Sequence, residues 1–308
     1  MNSGCEKMIR IILNGKKASI EEIREAVSIL REESYVIEVR VTWEYGDAVR
    51  LVEEASRDGV KRIVAAGGDG TLNEIINGLA LLPKEQRPQI AILPLGTAND
   101  FATACEIPHY PLEALRLALE GEATLVDIVK ANECYFINVA TGGIGAQITA
   151  ETPSELKNFL GGGAYTLSAV MKALSFTHSH GKMISEDREL EGAFIASALC
   201  NGRQAGGGQI LSPNAYINDG LLDAVVILEF SMVDVAQVVS ELLDPTIEGK
   251  FVKRFQTSWV KSIPSKMRFV NLDGEPYEAE KIHFEILPKE IEMVLPKECP
   301  CLLPVSKI

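Results

Sequence analysis

The chain has 308 residues, of which 46% are apolar and 24% charged; this composition is globular and excludes a disordered or fibrous chain. The length favours two domains of ordinary size. A net charge of −13 argues against a nucleic-acid partner and against strong electrostatic binding to anionic membranes, so membrane contact would be peripheral and transient, through a local patch or apolar insertion.

No apolar run approaches the ~20 residues that span a bilayer. The segment Met1–Lys7 lacks a basic region followed by an apolar stretch. The expected location is therefore cytoplasmic. Cysteines stand at 5, 105, 134, 200, 299 and 301, with no C-x-x-C pair. They are expected to be reduced thiols, some buried as small hydrophobes, and no structural zinc is expected.

The first 130 residues alternate between strand and helix patterns. Met8–Leu13 is a short apolar run, read as a buried strand. Ser19-Ile20-Glu21-Glu22 has capping-box spacing, and Ile20, Ile23, Val27 and Leu30 then form one helical face. Tyr35–Val41 is rich in β-branched residues and reads as a second strand. A helix over Asp47–Asp58, a strand over Arg62–Ala66, a helix over Leu72–Leu81, a strand over Gln89–Leu93 and a helix over Pro111–Glu120 follow. This alternation predicts a parallel sheet covered on both faces, with ligands at the carboxyl ends of its strands.

Strands dominate after Val126. They are expected at Cys134–Ala140, Ala193–Leu199, Leu222–Leu228, Met267–Leu272, His283–Leu287 and Ile291–Leu295, with helices only at Leu156–Phe176 and Val233–Leu243. The fold class is thus α/β plus β: an α/β domain over 1–130, then an antiparallel β-sandwich over 131–294.

Two loops could carry chemistry in the first domain. Gly67-Gly68-Asp69-Gly70-Thr71 lies between a strand and a helix, where glycines let backbone approach a phosphate and the helix start offers N–H groups. Thr71 and Glu74 repeat the capping-box spacing. The loop is neither a Walker A sequence nor a G-x-G-x-x-G fingerprint. The second loop, Pro94–Ala102, places Thr97, Asn99 and Asp100 beside Gly96, where they could hold phosphate oxygens or orient a hydrated metal. A polar turn and helix cap is the alternative for that loop on its own.

In the second domain, Asp273-Gly274-Glu275 brings two acids together, sharing a face if the strand is continuous and not if Gly274 makes a turn. A carboxylate can accept a substrate proton when burial raises its pKa, and a hairpin with solvated acids is the alternative. Asp219 lies in the turn Asn218-Asp219-Gly220. Arg203 and Gln204 could line an acceptor pocket or belong to a structural turn. His178-Ser179-His180 reads as a solvated loop. Gly161–Phe176 joins a glycine triplet to an apolar helix that could lie at a membrane interface or cover the sandwich.

Gly67–Glu74 followed by Pro94–Ala102 resembles the diacylglycerol kinase and sphingosine kinase catalytic superfamily. Leu13–Lys16, Arg40–Trp43, Asn201–Gly208, Ile217–Leu222 and Asn271–Pro276 resemble its YegS-type bacterial lipid kinase branch, from about residue 10 to residue 304. The resemblance implies an ATP-dependent kinase acting on a lipid hydroxyl, with phosphatidylglycerol and diacylglycerol as candidates. It implies ATP contacts at Thr42, Gly68, Asp69, Gly70, Thr71, Leu72, Asn73, Glu74 and Thr97, with Asn14 a plausible addition. Glu275 would be the proton acceptor, with Asp273 supporting it or a metal. It also implies Mg2+, with Ca2+ as an alternative, held by Asp219 and the carbonyls of Tyr216 and Leu221. Residues 295–308 would pack back on the first domain. Two rival readings remain: a soluble-substrate kinase of the NAD kinase type, which shares the GGDGT-type loop, and a non-catalytic nucleotide or lipid sensor.

Overall fold

The computed structural model describes residues 8–143, 179–244, 249–265 and 268–304. The expected helix over 156–176 and the histidine at 178 lie outside them. Among the described residues, those up to Asp127 and those from Pro288 onward form one compact unit, and Ile128–Leu287 the other.

In the first unit, strands β1 (Met8–Asn14), β2 (Val36–Thr42), β3 (Arg62–Gly67) and β4 (Gln89–Pro94) run parallel in the order β2-β1-β3-β4. Helices α1 (Glu21–Glu32), α2 (Asp47–Arg57) and α3 (Asp69–Leu81) connect them; α4 (Asp100–Ala104) and α5 (Pro111–Glu120) follow β4. Residues alternate across β1. Ile9, Ile11 and Leu13 face a core shared with Ile23, Val27 and Leu30 of α1 and Ala114, Leu115 and Ala118 of α5. On the other face lies Arg10, buried and paired with Glu38 (2.6 Å) and with Asp58 just past α2 (2.8 Å). A charge inside an apolar strand pattern gives no sequence signal of its own, yet these acids make it admissible.

Helix starts differ from expectation in two places. The structure gives α1 Ile20 as its N-cap and α3 Gly68, neither with a side-chain cap bond, so the capping boxes read at Ser19 and Thr71 do not form. Short carboxyl and hydroxyl groups compete for other partners there, and tertiary contacts decide between them.

The second unit is built on β9 (Glu189–Cys200), whose 194–200 stretch pairs antiparallel with β12 (Leu222–Leu228). On its other side it pairs first with β8 (Ser179–Ile184), then with β7 (Val139–Gly143). The run expected at Cys134–Ala140 is two strands, β6 (Cys134–Phe136) and β7, because the chain turns at Ile137–Asn138. β15 (Arg268–Leu272) and β16 (Glu275–Ala279) form a hairpin on β7. β17 is continuous over Ile282–Val294, although two strands are read from the sequence; Lys289 at φ 53° kinks it after Pro288. Phe136 and Phe284 meet edge to face in the sandwich core, with ring centroids 6.3 Å apart.

A 3-10 turn at Met232–Asp234, boxed by Ser231 and Asp234, precedes α6 (Val235–Leu243). Val235, Val238 and Leu242 of α6 pack on Val225, Ile227 and Val252. Glu241 of α6 is buried. Its carboxylate accepts the N–H groups of Lys250, Phe251 and Val252 (each 2.9 Å). Burial pushes this carboxyl up, but the three N–H bonds and the Gln237 amide outweigh it and hold it below the usual range.

Glu241→Ala should leave three N–H groups without acceptors and destabilise this unit by about 3 kcal/mol at neutral pH. The carboxylate's contribution is present above its unfolded pKa and is lost as pH falls through its lower folded value. Urea unfolding followed through Trp259 in a Trp43→Phe background should show the difference shrinking in acid.

Candidate phosphate-binding loops and the carboxylate turn

The strands of the first unit end level. Asn14 of β1 is registered with Thr42 of β2, Leu13 with Ala66 of β3, and Gly67 with Pro94 of β4. The chain reverses direction across the sheet between β1 and β3, and the carboxyl edge of such a switch point opens as a crevice. Across it, the Asn14 amide donates to Thr71 Oγ1 (3.0 Å). Asn14 Oδ1 accepts Lys16 N (3.1 Å), and Thr42 Oγ1 accepts Gly15 N (3.4 Å).

The two expected loops interlock. Leu95 N donates to Gly67 O (2.7 Å). Gly68 and Gly96 meet backbone to backbone: a Cβ on Gly96 would lie 2.6 Å from Gly68 Cα and 2.7 Å from Asn99 Oδ1. Asn99, at φ 50°, closes the second loop by accepting Gly96 N (2.7 Å) and donating to Gly96 O (3.0 Å). Asp69, the first residue of α3, accepts the N–H groups of Asp100 (3.2 Å) and Phe101 (3.3 Å) at the start of α4. Burial pushes the Asp69 carboxyl up; the N–H bonds oppose this only in part, and the charge of Asp100 adds to it.

The expected nucleotide residues occupy different environments. Gly68, Asp69, Gly70 and Thr42 are half-buried at the carboxyl edge, and Thr97 is exposed. Thr71 is buried with its hydroxyl against Asn14, and Leu72 belongs to the core. Asn73 is buried and accepts from the Asn77 amide (3.2 Å); Glu74 is half-buried. The α3 start presents the positive end of the helix at this edge, beside the glycines.

In the second unit, Asp273-Gly274 is a two-residue hairpin turn with φ values of 50° and 101°, closing Leu272 against Glu275. The two acids therefore do not share a face. Asp273 turns inward: Oδ2 accepts Ile137 N (2.8 Å), and Oδ1 accepts Asn138 N and Val139 N (2.9 Å each). Glu275 opens β16 and is exposed, so the burial invoked for a proton acceptor is not supplied by the fold.

Asn138, which the sequence reading passes over, and Asn201, which opens the segment Asn201–Gly208, complete this corner. Asn201 Nδ2 donates to Ile137 O (2.6 Å), and Asn138 Nδ2 to Gln204 O (2.9 Å). Asn138 Oδ1 and Gln204 Nε2 are buried without a partner among the described residues. For Asn138 the only signal is an Asn beside an apolar run, at Ile137-Asn138.

Asp219 Oδ1 accepts Leu221 N (3.0 Å) in a turn where Gly220 has φ 75°. The Tyr216 ring lies under the Arg203 guanidinium (5.1 Å), and Arg203 Nε donates to Ala215 O (2.8 Å). Among the described residues no three His, Cys, Asp or Glu side chains converge as a metal cluster. One carboxylate with two main-chain carbonyls is a different donor set, all hard oxygens, and its chemistry fits Mg2+ or Ca2+.

A glycine-paired loop opens a helix at the carboxyl edge of a parallel sheet in an α/β domain, here in one chain with an antiparallel sandwich. Residues 8–131 match the diacylglycerol kinase catalytic domain, and 137–295 match the YegS C-terminal NAD kinase beta sandwich-like domain. A protein of Shewanella frigidimarina named "Probable lipid kinase YegS-like" is 50% identical over 297 residues, covering 96% of each chain. One of the same name from Chromohalobacter salexigens is 46% identical over 93% of each chain. Two solved structures from Bacillus anthracis str. Sterne, one titled "a putative diacylglycerol kinase" and the other "a diacylglycerol kinases", align with TM-scores of 0.77 and 0.71 over 95% of this chain and 98% of theirs. At 24% and 21% identity they show the shared fold alone.

The chain belongs to the YegS-like lipid kinase family. It is a lipid kinase by that membership, and the family implies ATP as co-substrate.

Gly96→Ala should push the two loops apart. The expected outcome is a loss of about 1–3 kcal/mol in stability, read by thermal or urea unfolding, and loss of measurable ATP binding by calorimetry.

Proposed function

We propose that the chain transfers the γ-phosphoryl group of ATP to a free hydroxyl of a glycerolipid, phosphatidylglycerol or diacylglycerol, in a magnesium-dependent reaction at the membrane surface. The observation that carries the donor half is the interlock of Gly68 with Gly96 under the Asp69 carboxylate. It supports a rigid cradle of main-chain N–H groups for phosphate oxygens, and phosphoryl transfer depends mainly on such positioning and charge stabilisation. In this reading Gly68–Glu74 hold the phosphates, with Leu72 and Asn73 contributing through the main chain and the helix rather than through their buried side chains. The exposed hydroxyl of Thr97 and that of Thr42 complete the donor contacts.

The lipid hydroxyl attacks the γ-phosphorus, the bond to the bridging oxygen breaks, ADP leaves, and Glu275 takes the hydroxyl proton. Glu275 is exposed in the fold, so substrate covering it would have to supply the dehydration that makes it a better acceptor. Asp273 acts as a positioning residue: three N–H bonds commit it to the 137–139 backbone and fix the turn that presents Glu275. The unpartnered Asn138 Oδ1 and Gln204 Nε2 support a polar headgroup near this turn. Asp219, with the carbonyls of Tyr216 and Leu221, would hold Mg2+, which supplies charge neutralisation when bound. No helix among the described residues is long and apolar enough to cross a membrane, which suits peripheral contact at a cytoplasmic face.

Labelled ATP and magnesium incubated with mixed bacterial lipids should yield one labelled phospholipid, identified by mass spectrometry. Labelling of NAD with no labelled lipid would favour a soluble-substrate kinase instead. Glu275→Gln should lower kcat about 10²-fold or more with little change in stability or in the KM for ATP. Asp273→Asn should instead lower stability, with activity per folded molecule falling less. Asp219→Asn should raise the magnesium concentration needed for half-maximal activity.

A further inference from the structure

Two aromatic side chains stand in water at the edge that carries the phosphate loops. Trp43 is 93% exposed and Tyr45 is 91% exposed. The turn that holds them is nonetheless fixed. Asp47, the first residue of α2, accepts the N–H groups of Trp43 (2.7 Å) and Glu44 (3.1 Å) and is itself held by Arg50 (2.7 Å). Asp47 N donates back to Glu44 O (3.2 Å), and Gly46, at φ 89°, caps the helix. Trp43 is thus presented from an ordered backbone, which reduces the ordering cost when a ligand settles on it.

Its position relates it to the nucleotide. Trp43 directly follows Thr42, whose register with Asn14 sets the ends of β2 and β1 level. Asn14 in turn reaches Thr71 in the helix that the phosphate loop opens. Gly15 lies against the end of β2, and a Cβ on it would collide with Thr42 O, so only backbone can stand there. In the order β2-β1-β3, two strand spacings separate the end of β2 from the end of β3, roughly 10 Å. A ribose and an α-phosphate bridge a gap of that size. Phosphates seated at Gly68–Thr71 would therefore leave the base over the end of β2. A membrane is the poorer occupant: the turn carries Glu44 and Asp47, Arg50 is committed to Asp47, and the whole chain has a net charge of −13, so an anionic lipid surface would be repelled.

Resting on the ATP reading of the two glycine loops, we propose that Trp43 is the platform on which the purine ring of the nucleotide stacks, and that it sets a preference for purine over pyrimidine nucleotides. The two fused rings of a purine cover more of an indole than the single ring of a pyrimidine does. Stacking of a base on an aromatic side chain changes affinity by roughly 10- to 100-fold. Trp43 is preferred over Tyr45 because it adjoins Thr42 and its own N–H is bonded to Asp47. It makes and breaks no bond in the reaction and acts in binding alone.

The test titrates the unaltered full chain with ATP and magnesium while following tryptophan emission, with calorimetry in parallel. The chain has two tryptophans, Trp43 and Trp259. ATP should quench the emission with the midpoint that calorimetry gives. Trp259→Phe should keep the quench, and Trp43→Phe should lose it while binding ATP with nearly unaltered affinity. Trp43→Ala should weaken ATP about tenfold or more, weaken CTP less, and leave the binding of tripolyphosphate and the urea unfolding midpoint unchanged. ATP that binds without altering Trp43 emission, or that binds Trp43→Ala as tightly as the unaltered chain, would overturn the proposal and leave the phosphate role of the loops standing. Failure of both ATP and tripolyphosphate to bind would overturn the loop reading and the stacking with it. A blue shift of Trp43 emission on phosphatidylglycerol vesicles, with no response to ATP, would overturn the proposal and assign the turn to the membrane.

Discussion

The approach of Gly68 to Gly96 constrains the first unit more than any other contact. Two strand ends must finish level, two turns must leave the sheet on the same side, and neither can carry a side chain where they touch. The remaining features of the edge follow from that meeting. Asn99 takes a left-handed conformation to fold the second loop onto Gly96, and Asp69 crosses over to cap α4. Burying a carboxylate beside Asp100 carries an electrostatic cost, visible in the raised Asp69 carboxyl. Strain and unfavourable charge of this kind persist where the surrounding structure over-determines them, and they cluster at working sites.

The same device recurs through the molecule and gives the acidic composition a structural use. Asp47 accepts Trp43 N and Glu44 N ahead of α2, and those bonds with that of Arg50 bring its carboxyl down to about 2. Glu241 gathers three N–H groups of a turn before β13 (Val252–Thr257), and Asp273 gathers three between β6 and β7. Acids that a sequence reader assigns to solvent or to catalysis here act as staples for turns. A carboxylate offers several acceptor sites, and charge-assisted hydrogen bonds are the stronger kind. Near the proposed reaction this separates two neighbours: the inward Asp273 shapes the turn, and the outward Glu275 is left available to a substrate.

Much of the fold was legible because its elements obey simple periods. The parallel strands are short apolar runs or, in β2, an alternating β-branched run, and α2 and α5 carry apolar faces at helical spacing, so their bounds fall within a residue of expectation. Both loops stood out through glycine at the strand-to-helix step. Other features depend on tertiary partners. β16 (Glu-Pro-Tyr-Glu-Ala) looks nothing like a strand, yet it is held by pairing with β15 at the sheet edge. The five-residue α4 is too short to show a period. The left-handed Asp273 is signalled only by the glycine beside it, which leaves a turn and a continuous strand both open in the sequence.

The central claim is that the two glycine loops act as one phosphate-binding element. Amide hydrogen exchange, with and without a non-hydrolysable ATP analogue and magnesium, tests it most directly. The account predicts that amides of residues 67–72 and 96–101 slow together on binding, and that neither set slows in Gly96→Ala. Protection confined to one loop, or protection of residues 67–72 that survives the Gly96 substitution, would contradict it.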